Sequence, residues 1–108
     1  MNLFKINVQE PYYDYIINGQ KTIEGRLNKG KFSLMQIGDH LLINNEFKCK
    51  IKRKTNYKSF QSMIESEGVK SVVPDKKGIQ EATNVYYNFF TKEQEQKFGV
   101  VAIKISKI

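Results

Sequence analysis

The residues best suited to chemistry lie in one stretch, Gly19-Gln20-Lys21-Thr22-Ile23-Glu24-Gly25-Arg26-Leu27. Its alternation places Ile23 and Leu27 on one side of a strand and Thr22, Glu24 and Arg26 on the other. An acid and a base two apart on a strand face are roughly 7 Å apart at the backbone, so their side chains can meet or close on a shared ligand. Lys21 sits where a helix hands over to the strand and reaches Glu24 only if the backbone bends there. Three ionisable groups in six residues make a poor core strand and a reasonable floor for a polar cleft. If the site is catalytic, Lys21 and Glu24 are the catalytic residues. A desolvated Lys21 has a lowered pKa and can act as nucleophile or base. Glu24 can relay protons, and Arg26 can hold an anion or a carbonyl oxygen. If nothing turns over, Lys21, Thr22, Glu24 and Arg26 form a binding set, in which the cations neutralise phosphate and Glu24 accepts from a base edge. The plainer readings are a wet sheet face or a buried, fully satisfied Glu24–Arg26 pair.

The second charged feature is the run Phe47-Lys48-Cys49-Lys50-Ile51-Lys52-Arg53-Lys54. Phe47, Cys49 and Ile51 alternate with Lys48, Lys50 and Lys52, so one face is buried and the other is a row of like charges. Such a row either protects an edge strand or tracks phosphates. The phosphate reading takes in Lys48, Lys50, Lys52, Arg53 and Lys54, with Tyr57 beside them to stack a base.

Other reactive side chains are sparse. One histidine and one cysteine cannot build a zinc site, and no metal or cofactor is expected. His40 lies at a Gly-Asp turn with no partner and is not read as catalytic. A lone Cys49 excludes an internal disulfide and suits a reducing compartment, so an intracellular, cytoplasmic location is expected. The net charge of +7 favours a nucleic acid or an anionic ligand as partner over an acidic protein surface. No apolar run reaches the roughly 18–20 residues of a membrane span, and the alternating first residues read as a strand and not a signal peptide.

These groups must be positioned by a single domain of 108 residues. Residues 3–8 read as a first strand, and Glu10-Pro11 as the start of a helix ending at Asn18-Gly19. Residues 21–27 form the second strand, and 28–31 a basic turn. Phe32, Leu34, Met35 and Ile37 are expected to pack. A hairpin through Asn44-Asn45-Glu46 joins strand 40–43 to strand 47–54. Ser59 caps a helix over 60–67 that Gly68 stops, and 68–74 is a connection. Ile79, Ala82, Val85, Tyr86, Phe89 and Phe90 form a broad helical stripe. Thr91 caps a short helix over 92–97, with Gln94 at the capping-box position. The apolar segment 98–105 is a central strand. Mixed elements without a regular βαβ repeat predict an α+β domain, or a small barrel flanked by helices.

Four pieces of the chain, taken in order, carry a family resemblance. They are Tyr15-Ile16-Ile17-Asn18-Gly19-Gln20-Lys21-Thr22-Ile23-Glu24-Gly25-Arg26-Leu27, Ile37-Gly38-Asp39, the aromatic helix 82–90, and Phe98-Gly99-Val100-Val101-Ala102-Ile103. Together they resemble the activating-signal-cointegrator-homology (ASCH) domain of the PUA-like superfamily, with the Gly-x-Lys-Thr-x-Glu-x-Arg core as the specific part. The resemblance implies a small β-barrel of about five to six mixed strands flanked by helices. It implies a cleft lined by Lys21, Glu24 and Arg26 and an association with RNA. Some small relatives remove the acetyl group from acetylated cytidine, using a Lys, a Thr and a Glu. Lys21 matches the first, Glu24 stands at the Thr position, and Asp75 or Glu81 would supply the later carboxylate. Other relatives are thought to cut RNA. The leading expectation is a binder of RNA or a nucleotide-like ligand, with a small amidohydrolase or ribonuclease as the alternative. Oligomeric state is not legible.

Overall fold

A computed structural model describes residues 1–108. Five strands form one mixed, curled sheet in the spatial order β1-β3-β4-β5-β2, with helices packed around it. The strands are β1 (Leu3–Ile6), β2 (Ile23–Leu27), β3 (His40–Ile43), β4 (Phe47–Tyr57) and β5 (Val100–Lys107). β1 runs parallel to β3, and the other neighbours are antiparallel. The helices are α1 (Tyr12–Ile17), α2 (Lys31–Leu34), α3 (Phe60–Glu67), α4 (Val69–Val72), α5 (Ile79–Tyr86) and α6 (Lys92–Phe98). The architecture is α+β with flanking helices, as expected, and the expected small barrel takes the form of a five-stranded half-barrel.

The sheet separates two cores. One holds Ile6, Tyr13, Ile16, Met35, Leu41, Cys49, Ile51, Val101 and Ile103. The other holds Ile23, Leu27, Phe60, Met63, Ile64, Val100 and Ala102, beneath α3 to α5. β5 feeds both: Val100 to Ile103 are fully buried in succession, as a central strand covered on two faces requires.

Both sequence-read caps are present. The Ser59 hydroxyl accepts from Ser62 N at 3.0 Å, and Thr91 and Gln94 close a reciprocal capping box. Glu95 ties these helices together; its carboxylate accepts from Phe60 N at 2.7 Å and from the Tyr87 hydroxyl at 2.7 Å. Asn44 and Asn45 take φ of 52° and 60° in the hairpin, a conformation asparagine tolerates.

Several elements differ from the sequence reading. β1 ends at Ile6, and beyond it Val8 exchanges hydrogen bonds with the Asn44 side-chain amide. Pro11 precedes α1 instead of opening it. Lys21 and Thr22 lie outside β2, because Thr22 N is drawn to Ser71 O. Of the four apolar residues after the basic turn, Met35 is buried and Phe32 half-buried, whereas Leu34 and Ile37 are each 68% exposed. The segment around them forms the one-turn α2 on the surface, and Leu34 and Ile37 point away from the core. Residues 69–72 are helical, not an irregular connection, and bury Val72. α5 stops at Tyr86, where Phe89 N and Phe90 N both turn back to Tyr86 O.

Gly25 lies on the α3 side of β2, opposite Ala102. A Cβ there would stand 2.6 Å from Met63 Cε and 2.9 Å from the Tyr86 hydroxyl, both in buried side chains. Gly25→Ala is therefore expected to destabilise the fold by about 1–3 kcal/mol in chemical denaturation through overpacking; unchanged stability would show that helix and sheet can separate freely here.

Candidate functional site

The bend after α1 brings the charged set together. Gly19 takes φ 85°, open to glycine, and Lys21 N turns back to donate to Tyr15 O. The Lys21 side chain then runs inward. Its Nζ donates to Ile23 O and Val72 O, each at 2.6 Å, and lies 3.5 Å from Glu24 Oε1. An ammonium has three protons, and each has an acceptor. Glu24 projects from β2 on the Ile103 face. Its Oε2 accepts from Arg26 Nε at 2.6 Å. Arg26 Nη2 donates to Asn7 O at 2.6 Å, and its guanidinium stands 4.9 Å from the Phe32 ring. Arg26 thereby links β2 to the chain just past β1, across the open seam between the two sheet edges.

Lys21 and Glu24 are only 3% and 6% exposed. Burial draws the Lys21 pKa down, more than Glu24 raises it. Burial pushes the Glu24 carboxyl up, but Arg26 and Lys21 together outweigh it and hold the carboxyl below its ordinary range. With all three groups ionised, two cations surround one anion, leaving one positive charge in excess.

Above this floor lies a cavity of about 320 Å³. Its apolar and aromatic lining comes from Val72 and Val73, from Val85, Tyr86, Phe89 and Phe90, and from Val8 and Tyr12. The wall is apolar and aromatic; the floor is charged. Burial and the nearby Asp75 carboxylate push the Tyr12 hydroxyl up to about 12, so it keeps its proton at neutral pH. The hydrogen bonds made by Arg26 use two of the five N–H donors of a guanidinium. Three donors are not used by these bonds, and the side chain, 20% exposed, lines the cavity.

Lys21, Glu24 and Arg26 thus lie together, Glu24 and Arg26 through their shared strand face and Lys21 only through the bend that follows α1. Thr22 does not line the cavity; its backbone is held between Ser71 O and Ile105 N. Asp75 stands beside Tyr12, whereas Glu81 is exposed on the first turn of α5 and does not line the cavity.

The lysine strand divides. A bulge between Ile51 and Arg53 resets the alternation of β4. Lys48, Lys50 and Lys52 are exposed. Lys54 is turned to the opposite face and donates to Ser33 O and Met35 O at 3.1 and 2.9 Å. Arg53 forms a two-pronged pair with Glu67 at 2.9 and 2.6 Å, and the Tyr57 hydroxyl donates to the same carboxylate at 2.6 Å. These three side chains are engaged within the fold. The lysines line no part of the cavity, and β5 separates β4 from β2.

Val72, Val73, Phe89 and Phe90 were legible only as connection and helix core. No signal set the aromatic wall apart: adjacent residues share a broad apolar helix face, so Phe89 and Phe90 fit the same stripe as Val85 and Tyr86. No cluster of three or more His, Cys, Asp or Glu side chains is placed to hold a metal.

The curled five-stranded sheet with its flanking helices is a small α+β architecture of the PUA-like type. The chain belongs to the ASCH domain family, whose pattern it matches over residues 6–108. It is similar to the crystal structure of hypothetical protein PH0355, at 39% identity and TM-score 0.94, with both chains covered completely. It is also similar to the solution structure of protein PF0455 from Pyrococcus furiosus, at 36% identity and TM-score 0.83, covering 100% of this chain and 98% of that one. The ASCH domain from Lactobacillus crispatus JV V101 shares the fold at 20% identity and TM-score 0.56, with 98% of this chain and 79% of that one covered. No curated protein matches the chain.

Removing the negative partner tests the electrostatics. Glu24→Gln leaves two cations uncompensated, and a loss of roughly 3–5 kcal/mol is expected. Because the folded carboxyl titrates lower than the unfolded one, near 4.3, its contribution is complete above that value. It disappears as pH falls through the folded value. Denaturation curves should therefore show a shallower acid loss in Glu24→Gln than in the wild type; equal steepness would contradict the assignment.

Proposed function

We propose that the cleft binds one base of an RNA or nucleotide-like ligand, and that this is a binding domain. The observation that carries the reading is the pairing of an aromatic wall with a floor bearing one excess positive charge. The cavity volume sits at the small end of the roughly 300–1,000 Å³ range of ligand clefts, suited to one base and its sugar, not to a duplex. Phe89 and Tyr12 offer faces for stacking. The remaining donors of Arg26 meet a carbonyl or phosphate oxygen, and Glu24 orients Arg26. Lys21 supports the floor: its protons are already taken by two carbonyls and Glu24. Lys48, Lys50 and Lys52 form a second contact for phosphates away from the cleft. The protein acts inside the cell, in the cytoplasm, where RNA is found and the Cys49 thiol stays reduced.

A hydrolase is the second reading. The desolvated Lys21 beside an ionised Glu24 favours it, as do the relatives that deacetylate acetylcytidine. Lys21 would have to release a proton it now donates before it could attack a carbonyl. The binding reading expects no acetylcytidine turnover beyond that of Lys21→Ala; turnover that Lys21→Ala abolishes would make the protein an amidohydrolase. RNA cleavage lost in the same variant would make it a ribonuclease.

Phe89 is 47% exposed, so its truncation should spare the fold. Phe89→Ala is expected to weaken binding of single-stranded RNA roughly 5- to 150-fold at an unchanged melting temperature, matching about 1–3 kcal/mol of stacking. Replacing Lys48, Lys50 and Lys52 by alanine should flatten the slope of log affinity against log salt by about 2. An unaltered slope would remove the lysines from the interface.

A further inference from the structure

A second concavity adjoins the cleft. It lies among α3, α5 and α6 and is lined by Gln61, Gln80, Thr83, Asn84, Tyr87, Phe90, Thr91 and Lys92. Phe90 lines both hollows, so its side chain is the partition between them. The two hollows differ in chemistry. The cleft is apolar over a charged floor, whereas the groove is walled by side-chain amides and hydroxyls with one lysine.

The groove is built on a firm base and presents free polar groups. Phe90 stacks on Phe60 at 5.4 Å and 18°, and Phe60 in turn stacks on Tyr86, so the partition is backed by the core. The Tyr87 hydroxyl is fixed by Glu95 at 2.7 Å. Gln80 Nε2 donates to Asn84 Oδ1 at 3.0 Å, which leaves the Asn84 amide nitrogen and the Gln80 oxygen unused on two exposed residues. Gln61, Asn84 and Lys92 are all exposed. Lys92 Nζ lies 5.4 Å from the Tyr87 ring, a cation beside an aromatic face. Amides that can donate and accept together match the edge of a nucleobase, and a lysine beside them matches its phosphate.

We propose that this groove receives the nucleotide adjacent to the one in the cleft, so that the ligand is single-stranded RNA of at least two nucleotides. The inference rests on the cleft reading and extends it. The strand crosses Phe90, which separates the two bases. Gln61 and Asn84 read the second base, and Lys92 holds the phosphate on its far side. The cleft alone cannot distinguish a free nucleotide from a strand; the groove favours the strand.

Isothermal titration of the nucleoside 5′-monophosphates and the matching homodinucleotides tests this. The best dinucleotide is expected to bind at least about tenfold tighter than its monophosphate. The double variant Gln61→Ala/Asn84→Ala, altered only at exposed positions, should erase that advantage and leave monophosphate affinity unchanged. Equal affinity of the two probes for the wild type would overturn the groove while sparing the cleft. A double variant that weakens both probes alike, or neither, would also overturn it. Failure of both probes to bind would remove the cleft reading and the groove with it.

Discussion

A lysine ammonium with almost no contact with water is the constraint around which the cleft is arranged. Taking such a charge out of solvent is expensive, and the fold meets that demand with two carbonyls and a carboxylate. One carbonyl belongs to β2 and the other to α4, so Lys21 fastens a helix turn to a sheet edge. Glu24 then needs a second cation, because one carboxylate shared with a buried lysine is itself poorly solvated. Arg26 supplies it and carries the chain of contacts to Asn7, across the seam of the half-barrel. The same bonds that hold the edges together form the floor of the hollow between them.

The same economy of polar contacts governs the other charged residues. Arg53 and Tyr57 both serve Glu67, which anchors the end of α3 to β4. Lys54 closes the exposed end of α2. These side chains are basic or aromatic, and composition alone makes them resemble a nucleic-acid surface. Their hydrogen bonds run to Glu67, Ser33 and Met35 within the fold. Lys48, Lys50 and Lys52 have no such partners and remain as the outward row.

Much of this was legible in the sequence, and the limits have physical causes. The acid–base spacing of Glu24 and Arg26 fixes their shared face whatever surrounds the strand. The Thr91–Gln94 and Ser59 caps are local, so a short window contains them. Lys21 was harder: its position on the Glu24 side depends on the reversal at Gly19, and its partner Val72 is distant in sequence. The bulge at Lys52 was invisible, because an added residue in a lysine-rich strand leaves the apparent alternation intact while moving Lys54 to the other face. The wall of the cleft was misassigned for a similar reason. Phe89 and Phe90 continue a helical stripe, and only the turn after Tyr86 reveals that they leave the helix and border two hollows. Leu34 and Ile37 are apolar yet exposed, which no hydrophobic pattern can announce.

The central claim is that the charged hollow at the seam, and not the lysine row, is where a base is held. Backbone and arginine side-chain resonances followed during titration with a short single-stranded RNA address it directly. The account expects the largest shifts at Gly25, at the Arg26 Nε–H and at the Phe89 amide, with smaller changes at Lys48 to Lys52. Shifts confined to Lys48 to Lys52, with Arg26 and Phe89 unmoved at saturation, would contradict it.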